Sequence, residues 1–346
     1  MRHITAMIVL LSLTVSITAQ STKQLLDFQF EGIRLNGVLN IPQSTPPKGI
    51  VLIVHGSGQT NAVAQEWHFD IRETLVASGY ATYMWDKRGC GESEGTFDYN
   101  QPVHNSADEV IAAIQMLKEN QLPGSETIGL WGISRAGWIN PIVINKYQDI
   151  AFWISVSGVD EKENFNYLLE QNLLIDGYPT DSVNLLVNQL REGTRITHTG
   201  GSYECYLDAT QDLRALPFMI RFSGGGVTEE GYYAYQKGFM KETLDAASGL
   251  QVYIDDFDEL LATIDCPVLA LFGENDLNVD WEKTQALYDQ TMSDRTDLTI
   301  ASFPDCNHNL FQCETGGFFE MEDENLPYIR CEGFLETMTD WLGQLD

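Results

Sequence analysis

Ile128-Gly129-Leu130-Trp131-Gly132-Ile133-Ser134-Arg135-Ala136-Gly137-Trp138 joins an apolar, strand-like run to a helical pattern through one serine flanked by small residues. A serine alcohol is a weak nucleophile and needs exposure, a base and room for a substrate to approach. A tight strand-to-helix turn supplies the exposure. Small residues two before and two after the serine, here Gly132 and Ala136, let the backbone fold back without clashes. So short a match also occurs in ordinary turns between a core strand and a helix. The chemistry must therefore be sought in the rest of the chain.

Working outward, residues 49–54 form a continuous apolar run that ends at His55-Gly56-Ser57-Gly58. A strand buried on both faces gives such a run. A helical stretch at 61–78, a strand at 80–85, a helix at 105–119, the strand at 126–133 and another strand at 150–156 follow in turn. Two extended segments, 25–30 and 33–41, joined by Glu31-Gly32, are expected to form an antiparallel hairpin at a sheet edge. Strand-helix alternation with right-handed crossovers makes the fold class α/β, a doubly wound, mostly parallel sheet with helices on both faces.

At Gly158 the alternation stops. Residues 160–257 hold amphipathic helical stretches, such as 165–175 and 229–247, rich in Tyr, Phe and Leu. The pattern resumes with a strand at 267–273, a helix at 279–292, a strand at 298–303 and a closing helix at 333–344. The expected division is a core over 20–159 and 258–346 and a helical insertion over 160–257. In an α/β sheet such an insertion sits over the C-terminal strand ends, where ligands bind, and reads as a lid.

The first residues fit a secretory signal over 1–19: Arg2 and His3, an apolar run from Ala6 to Ile17, and Ala19 as the small residue before the cut. That run is too short to span a bilayer comfortably. The mature chain is expected to be exported, periplasmic or secreted, without membrane insertion. A net charge of −30 repels phosphate backbones and anionic lipid, so a nucleic-acid partner is not expected.

Export makes disulfides possible among the six cysteines. Cys313 and Cys331 flank an acidic loop and are the expected pair. A zinc set of Cys306, His308, Cys313 and Cys331 lacks the paired C-x2-C spacing. Asp276, Asn278 and Asp280 resemble the start of a calcium loop, but its glycine and terminal glutamate are missing.

If Ser134 is a nucleophile, a base must reach its hydroxyl and a carboxylate must orient that base. Of six histidines, His3 lies in the signal, His198 in the insertion, and His68 and His104 at helices before the serine. His55 belongs to a loop better suited to supplying backbone amides. His308, directly after a core strand and at the same sheet end as Ser134, is the expected base. The carboxylate should follow a strand between the two. Asp276 does so, with Glu274 and then Asp305 as rivals. An oxyanion needs two preorganised donors. The Arg135 amide is one, and the loop after the third strand supplies the other, from Ser57 or Gly58. The Asp86-Lys87-Arg88-Gly89 turn reads as a loop without chemistry of its own.

Together these pieces resemble the α/β-hydrolase superfamily, whose chain order is that of Ser134, Asp276 and His308. The segment from Trp67 to Gly95, ending in Asp-x-Arg-Gly-x-Gly-x-Ser-x-Gly, is similar to the serine aminopeptidase and dipeptidyl-peptidase-like esterase branch. The resemblance implies an α/β-hydrolase fold and an acyl-enzyme mechanism on a small-molecule ester or short peptide, without metal or organic cofactor. Two features depart from the pattern. Ala136 replaces a glycine, and the acidic stretch from Gln312 to Glu332 widens the distance between the histidine and the last helix. That stretch is expected to wall the pocket and, with the lid, to disfavour anionic acyl groups.

Overall fold

The computed structural model describes residues 21–99, 101–160, 162, 165–224, 226–241, 243–245 and 249–345. The expected signal segment, 1–19, lies outside the described residues. Eight strands form the main sheet: β1 (Ser21–Leu25), β2 (Gly37–Pro42), β3 (Ile50–Val54), β4 (Ala81–Trp85), β5 (Ile128–Ile133), β6 (Ile150–Val156), β7 (Val268–Gly273) and β8 (Leu298–Phe303). Their spatial order is β1-β2-β4-β3-β5-β6-β7-β8. β2 runs antiparallel to both its neighbours, and every other pairing is parallel.

Every residue of β3, β4, β5 and β7 is buried. Helices cover both faces, so both sides of each strand must be apolar. One face packs beneath α2 (Val103–Glu119), α3 (Ala136–Lys146), α10 (Phe257–Leu261) and α11 (Trp281–Met292). The other packs beneath α1 (Phe69–Ala77) and α13 (Phe334–Leu342), which follows the short α12 (Glu320–Asp323) in the chain. The N-terminal hairpin is interrupted: β1 pairs with β2, while Phe28–Phe30 and Ile33–Leu35 form a separate ribbon. Glu31 and Gly32, with φ of 49° and 77°, make its turn, the left-handed pair that a tight hairpin requires.

Between β6 and α10 the chain forms α4 (Phe165–Ile175), α5 (Thr180–His198), α6 (Tyr203–Ala209), α7 (Gln211–Ala215), α8 (Pro217–Phe222) and α9 (Glu229–Phe239). Of these, α4, α5, α7 and α8 share a small core of their own around Leu169, Leu173, Val183 and Leu213. The helix expected over 229–247 stops at Phe239. Thr243–Leu244 instead pairs with Gln251–Val252 as a two-residue ribbon.

Register places the site. Val54 pairs with Gly132, Ile133 with Val156, Val156 with Leu271, and Gly273 with Phe303. Five strands thus end at one level, and the loops after them open on the same edge of the sheet.

Candidate active site

Ser134 stands at the tip of the turn between β5 and α3, with φ of 57°. A left-handed conformation costs a non-glycine residue about 1–2 kcal/mol, a strain met at functional turns. Two bonds hold it: the Ser134 amide donates to the Val156 carbonyl at 3.0 Å, and its carbonyl accepts from the Gly137 amide at 2.7 Å. A side chain on Gly132 would place a Cβ 2.6 Å from that of Ala136. One methyl fits between the arms of the turn and two do not, so alanine at 136 is compatible with glycine at 132.

Three residues beyond β7, Asp276 is fully enclosed. Its Oδ1 accepts from the amides of Asn278 at 2.9 Å and Val279 at 3.0 Å. Its Oδ2 lies 2.8 Å from His308 Nδ1. A carboxylate against Nδ1 selects the tautomer in which that nitrogen carries the proton, leaving Nε2 as an acceptor. Neither sequence rival competes. Glu274 Oε1 accepts from Ser302 Oγ at 2.8 Å, and Asp305 is exposed.

The His308 loop is fixed from several sides. The Cys306 carbonyl accepts from the Asn275 amide at 2.9 Å. Asn307 Oδ1 accepts from the amides of Asn309 at 3.0 Å and Phe311 at 3.1 Å. Ser157, directly after β6, donates its hydroxyl to the His308 carbonyl at 2.7 Å.

The disulfide differs from expectation. Cys306, not Cys313, bonds to Cys331. Cys313 is half-buried with its Sγ 3.8 Å from Asn275 Nδ2. Cys306 pairs with Gln312 across a β-bridge, and side chains of successive residues there point to opposite faces. Cys313 therefore faces away from Cys306, towards the Asp276 loop. With Cys306 and Cys331 bridged, the zinc set loses two thiolates, and no metal-type cluster occurs among the described residues.

On the other side of Ser134 lies the loop of residues 55–58. His55 is buried, with Nε2 2.6 Å from the Trp85 carbonyl. Burial, with the charge of Lys87 adding to it, pulls this imidazole down to about 3. It is therefore a neutral donor to Trp85. Ser57 is exposed, and Gly58 has φ of 84°. Lys87 Nζ donates to the carbonyls of Gly56 at 2.6 Å and Gly58 at 2.7 Å. Burial first, and the nearby Arg135 charge second, pull the Lys87 ammonium down to about 7. The Arg135 guanidinium donates to Ser106 Oγ at 3.1 Å and to the Gln101 carbonyl. A small cavity of about 30 Å³ lies among Ser57, Gly58, Lys87, Gln101 and Arg135.

The inserted helices reach the site through α4. Tyr167 Oη donates to the Asp276 carbonyl at 3.4 Å. Burial, with Asp280, Asp276, Glu282 and Glu170 around it, raises the Tyr167 hydroxyl. The acidic stretch packs against this insertion. The Phe318 amide donates to Asn172 Oδ1 at 2.7 Å, Arg221 pairs with Glu322 and Asp323, and Phe218 and Phe222 meet Phe318. Glu320 organises the stretch from within, accepting from the amides of Glu314, Thr315 and Gly316.

Two residues escaped the sequence reading. Lys87 stands in a turn that composition marks as an exposed loop, and only its position just after buried β4 hints otherwise. Ser157 had no sequence signal beyond following a core strand.

The strand order, the serine turn and the loops gathered at one sheet edge give the chain an α/β-hydrolase fold. Within it, residues 45–166 match the family described as serine aminopeptidase, S33. Among solved structures, the Pyrococcus furiosus esterase Pf2001 aligns with 97% of this chain and 96% of its own at a TM-score of 0.56 and 13% identity. Proline iminopeptidase of Mycobacterium smegmatis aligns with 93% of this chain and 98% of its own at 0.53 and 16%. Thiohydrolase aneE of Aspergillus aculeatus is 25% identical over 107 residues, which span 31% of this chain and 32% of that protein. This chain therefore matches about a third of that relative's length. No helix among the described residues is long and apolar enough to cross a membrane.

Proposed function

We propose that this chain is an exported serine hydrolase that cleaves carboxylic esters, with Ser134 as nucleophile, His308 as general base and Asp276 as its orienting carboxylate. The observation that carries this reading is the 2.8 Å contact between His308 Nδ1 and Asp276 Oδ2 at the sheet edge where Ser134 turns outward. His308 Nε2 takes the Ser134 proton as Oγ attacks the carbonyl. Asp276 stabilises the imidazolium, and the amides of Ser57 and Arg135 receive the oxyanion. The imidazolium protonates the leaving alcohol, and a water activated by the same histidine releases the acid. The esterase Pf2001, similar over nearly its whole length, supports an ester substrate. The carboxylates around Tyr167 favour neutral over anionic acyl groups. Export rests on the composition of residues 1–19.

The S33 match favours a second reading, a serine peptidase using the same three residues. Purified chain lacking residues 1–19 should be assayed on p-nitrophenyl esters beside aminoacyl p-nitroanilides. Ester turnover at least about tenfold faster, abolished by Ser134→Ala, is the expected result. Faster anilide turnover selects the peptidase, and no Ser134-dependent turnover of either removes both readings.

A further inference from the structure

We propose that Lys87 is a positioning residue of the oxyanion loop: by holding the carbonyls of Gly56 and Gly58 it aims the Ser57 amide at the space in front of Ser134. The inference rests on the serine-hydrolase reading above and extends it to a residue in a turn to which the sequence assigns no chemistry.

The geometry begins with β4. Its last residue, Trp85, offers its carbonyl to His55 Nε2 at 2.6 Å, and two residues later Lys87 sends Nζ to Gly56 O at 2.6 Å and Gly58 O at 2.7 Å. The loop after β3 is thereby tied to the end of β4 at three points. In a planar trans peptide the carbonyl and the amide hydrogen point in opposite directions. The Gly56 carbonyl and the Ser57 amide belong to one peptide unit. With the carbonyl drawn towards Lys87, the Ser57 N–H projects away from it. What lies close to this peptide is the serine turn: a Cβ on Gly56 would sit 3.3 Å from the Ile133 carbonyl and 3.4 Å from Ser134 Cβ.

The loop also needs an external tie. Gly56 and Gly58 bracket Ser57, and Gly58 holds φ of 84°. Glycine loses more conformational freedom on ordering than any other residue, so a loop of this composition does not fix an amide direction unaided. An oxyanion donor works by being fixed before charge develops. A lysine held between two carbonyls supplies that restraint and touches neither substrate nor reacting atoms.

The test uses the mature chain and three variants: Lys87→Met, which keeps the stem and removes the donor, Lys87→Gln, which keeps one donor group, and Lys87→Arg. The readouts are kcat and KM on a p-nitrophenyl ester and the inhibition constant of an aryl trifluoromethyl ketone. The hemiketal this ketone forms on Ser134 carries an oxyanion in the hole. Lys87→Met is expected to lower kcat about a hundredfold, with KM changed less than about threefold. Ketone binding should weaken by a factor comparable to the loss in kcat/KM. Lys87→Gln should lie between, and Lys87→Arg should recover at least about a third of wild-type kcat. If Lys87→Met does not fold, the Gln variant decides, with an expected loss of about tenfold. Wild-type kcat in a folded Met or Gln variant overturns the proposal, as does a fall in kcat with ketone affinity intact. Absence of Ser134-dependent hydrolysis in the wild type overturns this proposal and the functional reading together. A Lys87-independent but Ser134-dependent enzyme overturns this proposal alone.

Discussion

Ser157 donates its hydroxyl to the main-chain carbonyl of His308 at 2.7 Å, and the residue before it, Val156, accepts the Ser134 amide at 3.0 Å. The end of β6 is thus a joint between two loops more than a hundred residues apart in sequence, one carrying the serine and the other the histidine. Ser157→Ala leaves a buried carbonyl without its partner, a loss of about 1–3 kcal/mol. The expected outcome is a lower urea midpoint together with about a tenfold fall in kcat, because small misplacement of a base is costly. A destabilised variant with full kcat would show that the joint is structural only.

Asp276→Asn tests the carboxylate. The amide of asparagine can turn its NH2 towards His308 and stabilise the wrong tautomer. A fall in kcat of about 10⁴ is expected, as for the equivalent change in established Ser-His-Asp triads, with the melting temperature little altered. Ser134 labelling by a fluorophosphonate should slow in proportion.

The Cys306–Cys331 bridge spans a sequence separation of 25. A loop of that length is worth about 3–4 kcal/mol through the unfolded chain. Cys331→Ser, or reduction, should lower stability by that order and reduce activity, since Cys306 stands two residues before His308. Non-reducing peptide mapping should recover the 306–331 pair. A 313–331 pair would contradict the structure.

Beside His68, whose imidazole burial pulls down to about 4, His55 contributes to the acid limb of stability. Its folded value of about 3 lies below the ordinary 6.5. Between those values the unfolded chain binds a proton that the folded chain does not. Stability therefore falls as pH drops from about 6.5 towards 3, by up to about 1.4 kcal/mol per pH unit from this group. His55→Gln, which can still donate to the Trp85 carbonyl, should be less stable at neutral pH and show a flatter acid limb. Parallel limbs for both proteins would mean that the protonation lies elsewhere.

The acidic surroundings of Tyr167 are expected to set a preference among esters. p-Nitrophenyl butyrate is expected to exceed the mono-p-nitrophenyl ester of succinate in kcat/KM by at least about tenfold at low salt. Added salt should narrow the gap, because exposed charges are screened. Equal turnover would count against the preference.

How much of this was legible in the sequence follows from burial. The strands expected at 150–156 and 267–273 form as Ile150–Val156 and Val268–Gly273, because a parallel strand covered on both faces admits few polar residues. From the strand ends, the nearness of Asp276 to His308 could be read. Disulfide pairing could not, because it depends on which face each cysteine takes in a short bridge. Lys87 was illegible for a related reason: a lysine after a strand reads as solvated, and only the return of the loop after β3 gives its ammonium two carbonyls. The helix expected to continue past 239 failed where a two-residue ribbon competed for its last turns.

The Cys306–Cys331 bond also closes the neck of the acidic stretch, beside the pairing of Phe311 with Arg330. A protease that nicks the chain between 314 and 329 would therefore release nothing. The piece carrying α13 would stay covalently attached to the piece carrying His308, and the nicked protein would run as one species until reduced. For a chain proposed to work outside the cell, the bond lets a nick in this acidic segment leave the histidine beside it anchored.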